Sequence, residues 1–483
     1  MLSRRQFCST TFAAAGALAA QGPRRKMNVL LIAIDDMRPE LGCYGAKHVH
    51  TPNLDALAKI GTVFTRAYCQ QAVCSPSRTS LLTGLRPDTT KVYDLQTHFR
   101  LNLPDAVTLP QCFREQGYTT AGLSKIFHDG LDDSRSWSIP LWRPGGPAWN
   151  SAESADAARN LDQRLRESNW KIEPPVSDAG PSYKSPDVAD GALPDGQTAS
   201  QAIAALRTLK DQPFFLAVGF LKPHLPFVAP KKYFDLYDPA RIEMPDYPEK
   251  PAQMPPWAGH PNGELKSYGD TKEMPVPPEK ARELVRAYYA AISYTDAQIG
   301  KVIAELDRLG LRENTAIVVF GDHGFHLNDH GLWHKQTVFE KATRSPLIVS
   351  VPGQKRKGAS CTRLVELVDI YPTLADVAGL KAPANLEGQS FRPQLDNPSA
   401  PGKSAALSQY PRNHEGKRLM GYSLRTGRYR YTEWRVLGTS DVLGRELYDY
   451  RQDPQESRNR AGDQASRALI EQLATQLRTL VRS

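Results

Sequence analysis

Cys74-Ser75-Pro76-Ser77-Arg78 sets a cysteine, a proline and an arginine at fixed offsets inside a small, polar segment. Free cysteines usually behave as buried small hydrophobes. Ser75, Pro76, Ser77 and Arg78 are a poor apolar setting, so this spacing points to a cysteine used for chemistry. Cys-x-Pro-x-Arg alone recurs by chance in roughly a few per cent of chains this long. Followed by Thr83-Gly84 and Arg86-Pro87 it becomes far rarer. Two acidic pairs, Asp35-Asp36 and Asp322-His323, each follow an apolar run, and carboxylate oxygens suit a hard divalent cation such as Ca2+ or Mg2+. Basic residues complete the set: Lys125 and His128, three apart; His224 in Lys222-Pro223-His224-Leu225-Pro226-Phe227; and Lys335 after Trp333-His334. Single lysines and histidines are usually satisfied surface groups, and these gain meaning together. A cation, fixed ammonium and guanidinium groups and a proton donor suit an ester whose cleavage builds charge on the leaving oxygen.

The elements that must position these residues are alternating strands and helices. Continuous apolar runs at 28–34, 213–220 and 315–320 read as buried strands of a parallel sheet, each ending in charge. Further strands are expected at 118–123 and 347–351, and helices at 51–60, 79–83, 107–116, 282–309 and 364–380. Residues 130–200 and 223–280 are rich in Pro, Gly and Ser and read as irregular. Beyond a proline-rich stretch near 381–402, β-like runs at 405–409, 420–424, 429–434 and 447–450 precede a helix at 466–481. The expectation is an α/β fold: a mostly parallel sheet flanked by helices, with its site at the strands' carboxyl ends, and a small antiparallel sheet plus helix at the C-terminus.

Composition is that of a water-soluble chain, 40% hydrophobic and 23% charged with mean hydropathy −0.48, and no run is long enough to span a bilayer as a mature helix. Ser3-Arg4-Arg5-Gln6-Phe7 leads into an uncharged, alanine-rich run to Ala20, the pattern of a secretion signal. The paired arginines match the twin-arginine type, with an ordinary signal as the alternative. An exported protein, periplasmic or extracellular, follows. Loss of residues 1–20 takes the formal charge from +9 to +7, a balance that suits an anionic substrate. No basic run with interleaved aromatics indicates nucleic acid. Of six cysteines, Cys8 lies in the leader, and Cys43, Cys69, Cys112 and Cys361 are scattered without a CxxC pair. That spacing excludes a dense disulfide framework and leaves one or two bridges open.

The Cys74 pentapeptide, together with stretches 85–94 (LRPDTTKVYD), 125–128, 222–227 (KPHLPF), 322–331 (DHGFHLNDHG) and 420–434, resembles the sulfatases of the alkaline-phosphatase-like superfamily, most nearly their iduronate-2-sulfatase branch. The resemblance implies an alkaline-phosphatase-like catalytic unit at 27–400 and a small α+β unit at 401–483. It implies that a maturating, formylglycine-generating enzyme converts Cys74 to Cα-formylglycine, and that Asp35, Asp36, Cys74, Asp322 and His323 surround a Ca2+, or less readily a Mg2+. In that scheme one hydroxyl of the hydrated aldehyde attacks sulfur, and His224 with Lys335 protonates the leaving sugar oxygen. His128 then deprotonates the second hydroxyl, while Arg78 and Lys125 stabilise charge. The implied substrate is a sulfated carbohydrate. Phe325, where iduronate-2-sulfatases carry tryptophan, is expected near it. A phosphoester or phosphonate ester hydrolase on the same fold and an inactive sulfoglycan-binding protein are the alternatives.

Overall fold

Three apolar runs form the centre of an eight-stranded sheet. In the computed structural model, which describes residues 26–173, 180–245 and 247–481, Asn28–Ile34 lies between Phe214–Phe220 and Thr315–Gly321 and parallel to both. The register sets Ile34 opposite Phe220 and Gly321, so all three strands end at one edge. Every residue of the three strands is buried, which is why the runs lack the polar alternation of a half-exposed strand. Their side chains still alternate between two cores. Leu30, Ile32 and Ile34 pack with the helices Pro194–Leu209 and Pro278–Arg308, and Val29, Leu31 and Ala33 with Cys74–Thr83, Leu109–Glu115 and Ile370–Ala378.

Thr119–Ser124 and Ile139–Trp142 extend the sheet in parallel on one side. Leu347–Ser350 adds an antiparallel strand on the other, followed by Thr62–Phe64 and Ala359–Cys361. The sheet is therefore mostly parallel, as the sequence predicts. A separate antiparallel sheet of Ala405–His414, Lys417–Thr426, Tyr429–Val436 and Val442–Asp449 buries Leu407, Leu424 and Tyr431 in one cluster with Leu473 and Leu477 of the helix Arg467–Leu480. Glu340 binds it to the larger body, accepting from Arg425 (3.1 Å) and Arg430 (2.6 Å).

Four expectations need correction. The helix expected from 79 starts at Cys74, because the first-turn N–H groups lack helical partners and Pro76 costs nothing there. Residues 130–200 are not all irregular: Ala152–Glu167 is a helix capped by Ser151, and Pro194–Leu209 begins within the stretch. The first buries only Ser154 and Leu165, and Leu161 and Leu165 are its only large apolar residues, so it offers little apolar signal to read. The helix expected at 364–380 starts at Ile370, because Val365–Glu366 pairs with Ala67–Tyr68 and Glu366 with Asp369 forms a capping box. Cys43, Cys69, Cys74, Cys112 and Cys361 are free thiols, so none of these described cysteines forms the bridges left open. The expected leader, with Cys8, lies outside the described residues. No described helix is long and apolar enough to cross a membrane.

Candidate active site

The shared edge of the three central strands brings the two acidic pairs together. Asp36 adopts a left-handed backbone (φ 58°), which aspartate tolerates better than most residues. Its N–H donates to Asp322 Oδ1 (3.1 Å), and its carbonyl accepts from the hydroxyl of Tyr288 (2.6 Å), a residue of the longest helix. Phe214–Phe220 passes so close to the next segment that a Cβ on Gly219 would sit 2.1 Å from the Lys125 carbonyl oxygen. Glycine there lets the strand bring Lys125 against Asp35, where its Nζ donates to Oδ2.

Cys74 is the first residue of its helix, with Sγ 3.4 Å from His323 Nε2 and 4.0 Å from Asp36 Oδ1. One turn on, Arg78 lies on the same helix face. Its guanidinium donates to Asp35 Oδ1 (3.2 Å) and Asp322 Oδ2 (2.8 Å), joining the helix to two strand ends. Lys335 Nζ donates to Asp36 Oδ2 (2.9 Å) and stands 3.2 Å from His224 Nε2. His224 Nδ1 faces the Leu225 carbonyl at 2.5 Å, so in the neutral ring Nδ1–H donates there and Nε2 accepts from Lys335. The structure thus gathers Asp35, Asp36, Cys74, Arg78, Lys125, His224, Asp322, His323 and Lys335 into one connected cluster. His128 lies within electrostatic range of Lys125, Asp35 and Arg78 but outside the hydrogen-bond network: its side chain makes no hydrogen bond among the described residues, and its Nδ1 is buried without a partner.

Charge is unevenly shared. Burial opposes ionisation of Asp35, yet Lys125, His224 and Arg78 hold its carboxyl well below the ordinary range. For Asp36, burial outweighs the Lys335 ammonium, and Asp35, Glu264 and Asp322 push the same way, so its pKa is raised. Burial first and Asp35 second push the Cys74 thiol well above its ordinary value. Burial and Lys125 bring His128 down to about 3, and burial and Lys335 do the same for His224. Ligand atoms of Asp35, Asp36, Cys74 and His323 all lie within 4.8 Å of one another and are buried. Crowded carboxylates at hydrogen-bond or ligand distance, one with a raised pKa, are a donor set that fits a divalent cation, which would relieve their repulsion.

Glu264 belongs to the cluster and carries no local signature. It lies 3.1 Å from Lys335 Nζ and 3.4 Å from His224 Nε2, on the short helix Gly263–Lys266 of the proline-rich stretch. Asn262 secures that turn, donating to the Gly331 carbonyl and accepting from Trp333 N–H, both at 3.0 Å. The His224 segment is pinned by Asp195, which accepts from the N–H groups of Leu221 (2.8 Å) and Lys222 (2.9 Å). Phe325 corrects an expectation: it is fully buried, stacked on Tyr288 and edge-on to Phe227, and supports the site from the core without reaching solvent. Solvent meets the cluster at His224 and Glu264, whose side chains are 26% and 23% exposed.

Comparison with known proteins gives the family. The sulfatase family profile matches residues 27–380, and the N-sulphoglucosamine sulphohydrolase C-terminal profile matches 328–483. The chain is 36% identical to human iduronate 2-sulfatase over 90% of this chain and 91% of that protein. A structure solved in complex with its substrate D-glucosamine-2-N,6-O-disulfate shares the fold (TM-score 0.73, 20% identity, 94% of this chain and 98% of the other). The phosphonate monoester hydrolase of Silicibacter pomeroyi superposes with TM-score 0.71 at 25% identity, over 94% of each chain. A profile spanning most of the chain and a relative of this identity and coverage place the protein in the sulfatase family, as a sulfuric ester hydrolase.

Proposed function

We propose that the protein is exported and removes sulfate from a sulfated carbohydrate, with a 2-O-sulfated uronic acid of a glycosaminoglycan as the first substrate to test. The likeness to iduronate 2-sulfatase supports that choice of sugar. The observation that carries the reaction is the position of Cys74: a thiol pushed away from ionisation, yet at the focus of the acidic and basic groups. A cysteine nucleophile acts as thiolate, so this setting suits a precursor better than a nucleophile. Converted to formylglycine and hydrated, position 74 supplies one hydroxyl to attack sulfur and a second whose deprotonation expels sulfate.

Asp35, Asp36, Asp322, His323 and the position-74 side chain would hold a Ca2+, which supplies positive charge for the sulfate oxygens. Arg78 and Lys125 keep the position-74 group and Asp35 in place. Lys335, carrying the proton that neutral His224 accepts in a hydrogen bond, delivers it with His224 to the departing sugar oxygen. His128 is neutral, its side chain makes no hydrogen bond among the described residues, and it takes the proton of the second hydroxyl.

The test is sulfate release from defined sulfated mono- and disaccharides by protein co-produced with a formylglycine-generating enzyme, beside peptide mass spectrometry of residue 74. Release that depends on the mass change is the expected outcome. Full activity with unmodified cysteine overturns the mechanism. Because the phosphonate monoester hydrolase is similar over the same span, an aryl phosphonate is run against the matching aryl sulfate, and faster phosphonate turnover would reverse the assignment.

A further inference from the structure

A cleft of about 980 Å3 opens beside the cluster, between the proline-rich stretch, the 91–94 segment and the edge of the C-terminal sheet. It is linked to the site through the chain neighbours of Cys74 and Lys335. Val73, which precedes Cys74, packs under the cleft in one cluster with Tyr410, Ala258 and Val338. His260 on its wall has its ring centre 4.0 Å from that of His334, the neighbour of Lys335, the two rings tilted by 51°. Arg412, also on the wall, donates to the carbonyl of Gln336 on the other side of Lys335.

The cleft's cations differ from those of the buried ion pairs. Arg38, Arg78, Arg86 and Lys403 are neutralised by carboxylates. Around the cleft, Lys91, Lys250 and Arg418 are exposed, and none forms an ion pair with a described residue. Arg412 lies over the Tyr410 ring (4.2 Å) and donates to the carbonyls of Trp257 (3.0 Å) and Pro411 (3.2 Å), and among the described residues no carboxylate forms an ion pair with it. Asp94, the cleft's acid, has both oxygens occupied by Gln96 and Thr97. Trp257 and Tyr410 add aromatic faces among these cations.

We propose that this cleft is a subsite for anionic saccharide units that flank the one being desulfated. This inference rests on the sulfated-carbohydrate reading and deepens it. Sulfate and carboxylate groups on a sugar present acceptors that guanidinium and ammonium groups recognise, and aromatic rings pack against the C–H faces of the sugar. A volume of about 980 Å3 is at the upper end of small-molecule sites, with room beyond a single ring. Unpaired cations at the entrance also steer polyanions to the site.

The test uses the full chain with Cys74→Ala, which cannot turn over, and titrates it with a sulfated glycosaminoglycan tetrasaccharide and with the same chain after chemical desulfation. The expected result is binding of the sulfated form at least about tenfold tighter than the desulfated one. The triple variant Lys91→Ala/Lys250→Ala/Arg418→Ala, with thermal melting as folding control, should lose at least about tenfold in affinity and show a flatter salt dependence. In the Cys74 background the triple variant should lower kcat/KM for the tetrasaccharide relative to an aryl sulfate. Unchanged affinity in the folded triple variant overturns the proposal, as does equal binding of both tetrasaccharides. Tighter binding of a nucleic acid of equal charge than of the tetrasaccharide would overturn it too. Absence of sulfate release from every sugar and aryl ester would sink the function reading instead, and the binding result would still decide the cleft.

Discussion

Replacing Cys74 by alanine removes a single sulfur from the cluster and leaves Asp35, Asp36 and His323 in place. Cys74→Ala is therefore expected to fold and bind Ca2+ by calorimetry, while sulfate release falls at least about 10^3-fold, the scale of losing a nucleophile. Glu264→Gln keeps shape and removes charge, so Lys335 retains only Asp36 as a carboxylate partner. We expect kcat/KM to drop by about 10–100-fold, more for sugar sulfates than for aryl sulfates, since sugar oxygens depend more on protonation. Equal loss on both substrate types would separate Glu264 from proton delivery. These two residues also mark what was legible. Cys74 and Arg78 announce themselves because their relation is local, one helical turn. Glu264 meets Lys335 from 71 positions away through a short turn in a proline-rich stretch, and no local spacing encodes that. Phe325 stands beside a metal-edge motif in sequence and faces the core in space.

At the scale of elements, the helix that carries Cys74 is tied to the sheet through Arg78, which bridges Asp35 and Asp322 with almost no exposure. Removing one partner of a buried ion pair leaves charge without compensation, at about 3–5 kcal/mol. Arg78→Met should lower the stability of the metal-free protein by about that amount in urea unfolding. A change below about 1 kcal/mol would show that the strand ends hold without the guanidinium. The central strands were readable because burial on both faces turns them into unbroken apolar runs. Ala152–Glu167 was not, because Leu161 and Leu165 are its only large apolar residues and its cap is one serine. The helix start at Cys74 was misplaced for a related reason: polar residues and a proline look like a turn until the first turn's missing hydrogen bonds are considered.

For the whole molecule, two conditions should move stability in opposite directions. A cation bound only by the folded chain stabilises it by mass action, about 2.7 kcal/mol at a hundredfold excess over Kd. Added Ca2+ should raise Tm and a chelator should lower it; identical melting curves would argue against the site. Acid should weaken the fold. Glu340, flanked by Arg425 and Arg430, and Glu366, flanked by Arg86 and Lys403, are held well below the ordinary glutamate value although burial opposes this. Their folded pKa is depressed, so their contribution is fully present above about pH 4.3 and is lost as pH falls below it. The urea midpoint should decline steadily from about pH 5 to about pH 3, and a flat profile would refute this assignment. Burial of the Cys74 segment carries one more consequence. All ten residues of its helix are enclosed in the folded protein, and Cys74 itself is 2% exposed. An enzyme that must grasp this peptide can reach it only before the chain closes. On the proposed maturation of residue 74, modification and folding would compete in time, and a molecule that folds first would stay unmatured until it unfolds. The specific activity of a preparation would report the outcome of that race, and refolding a purified, unmatured chain beside the maturating enzyme should rescue activity that incubating the folded chain does not.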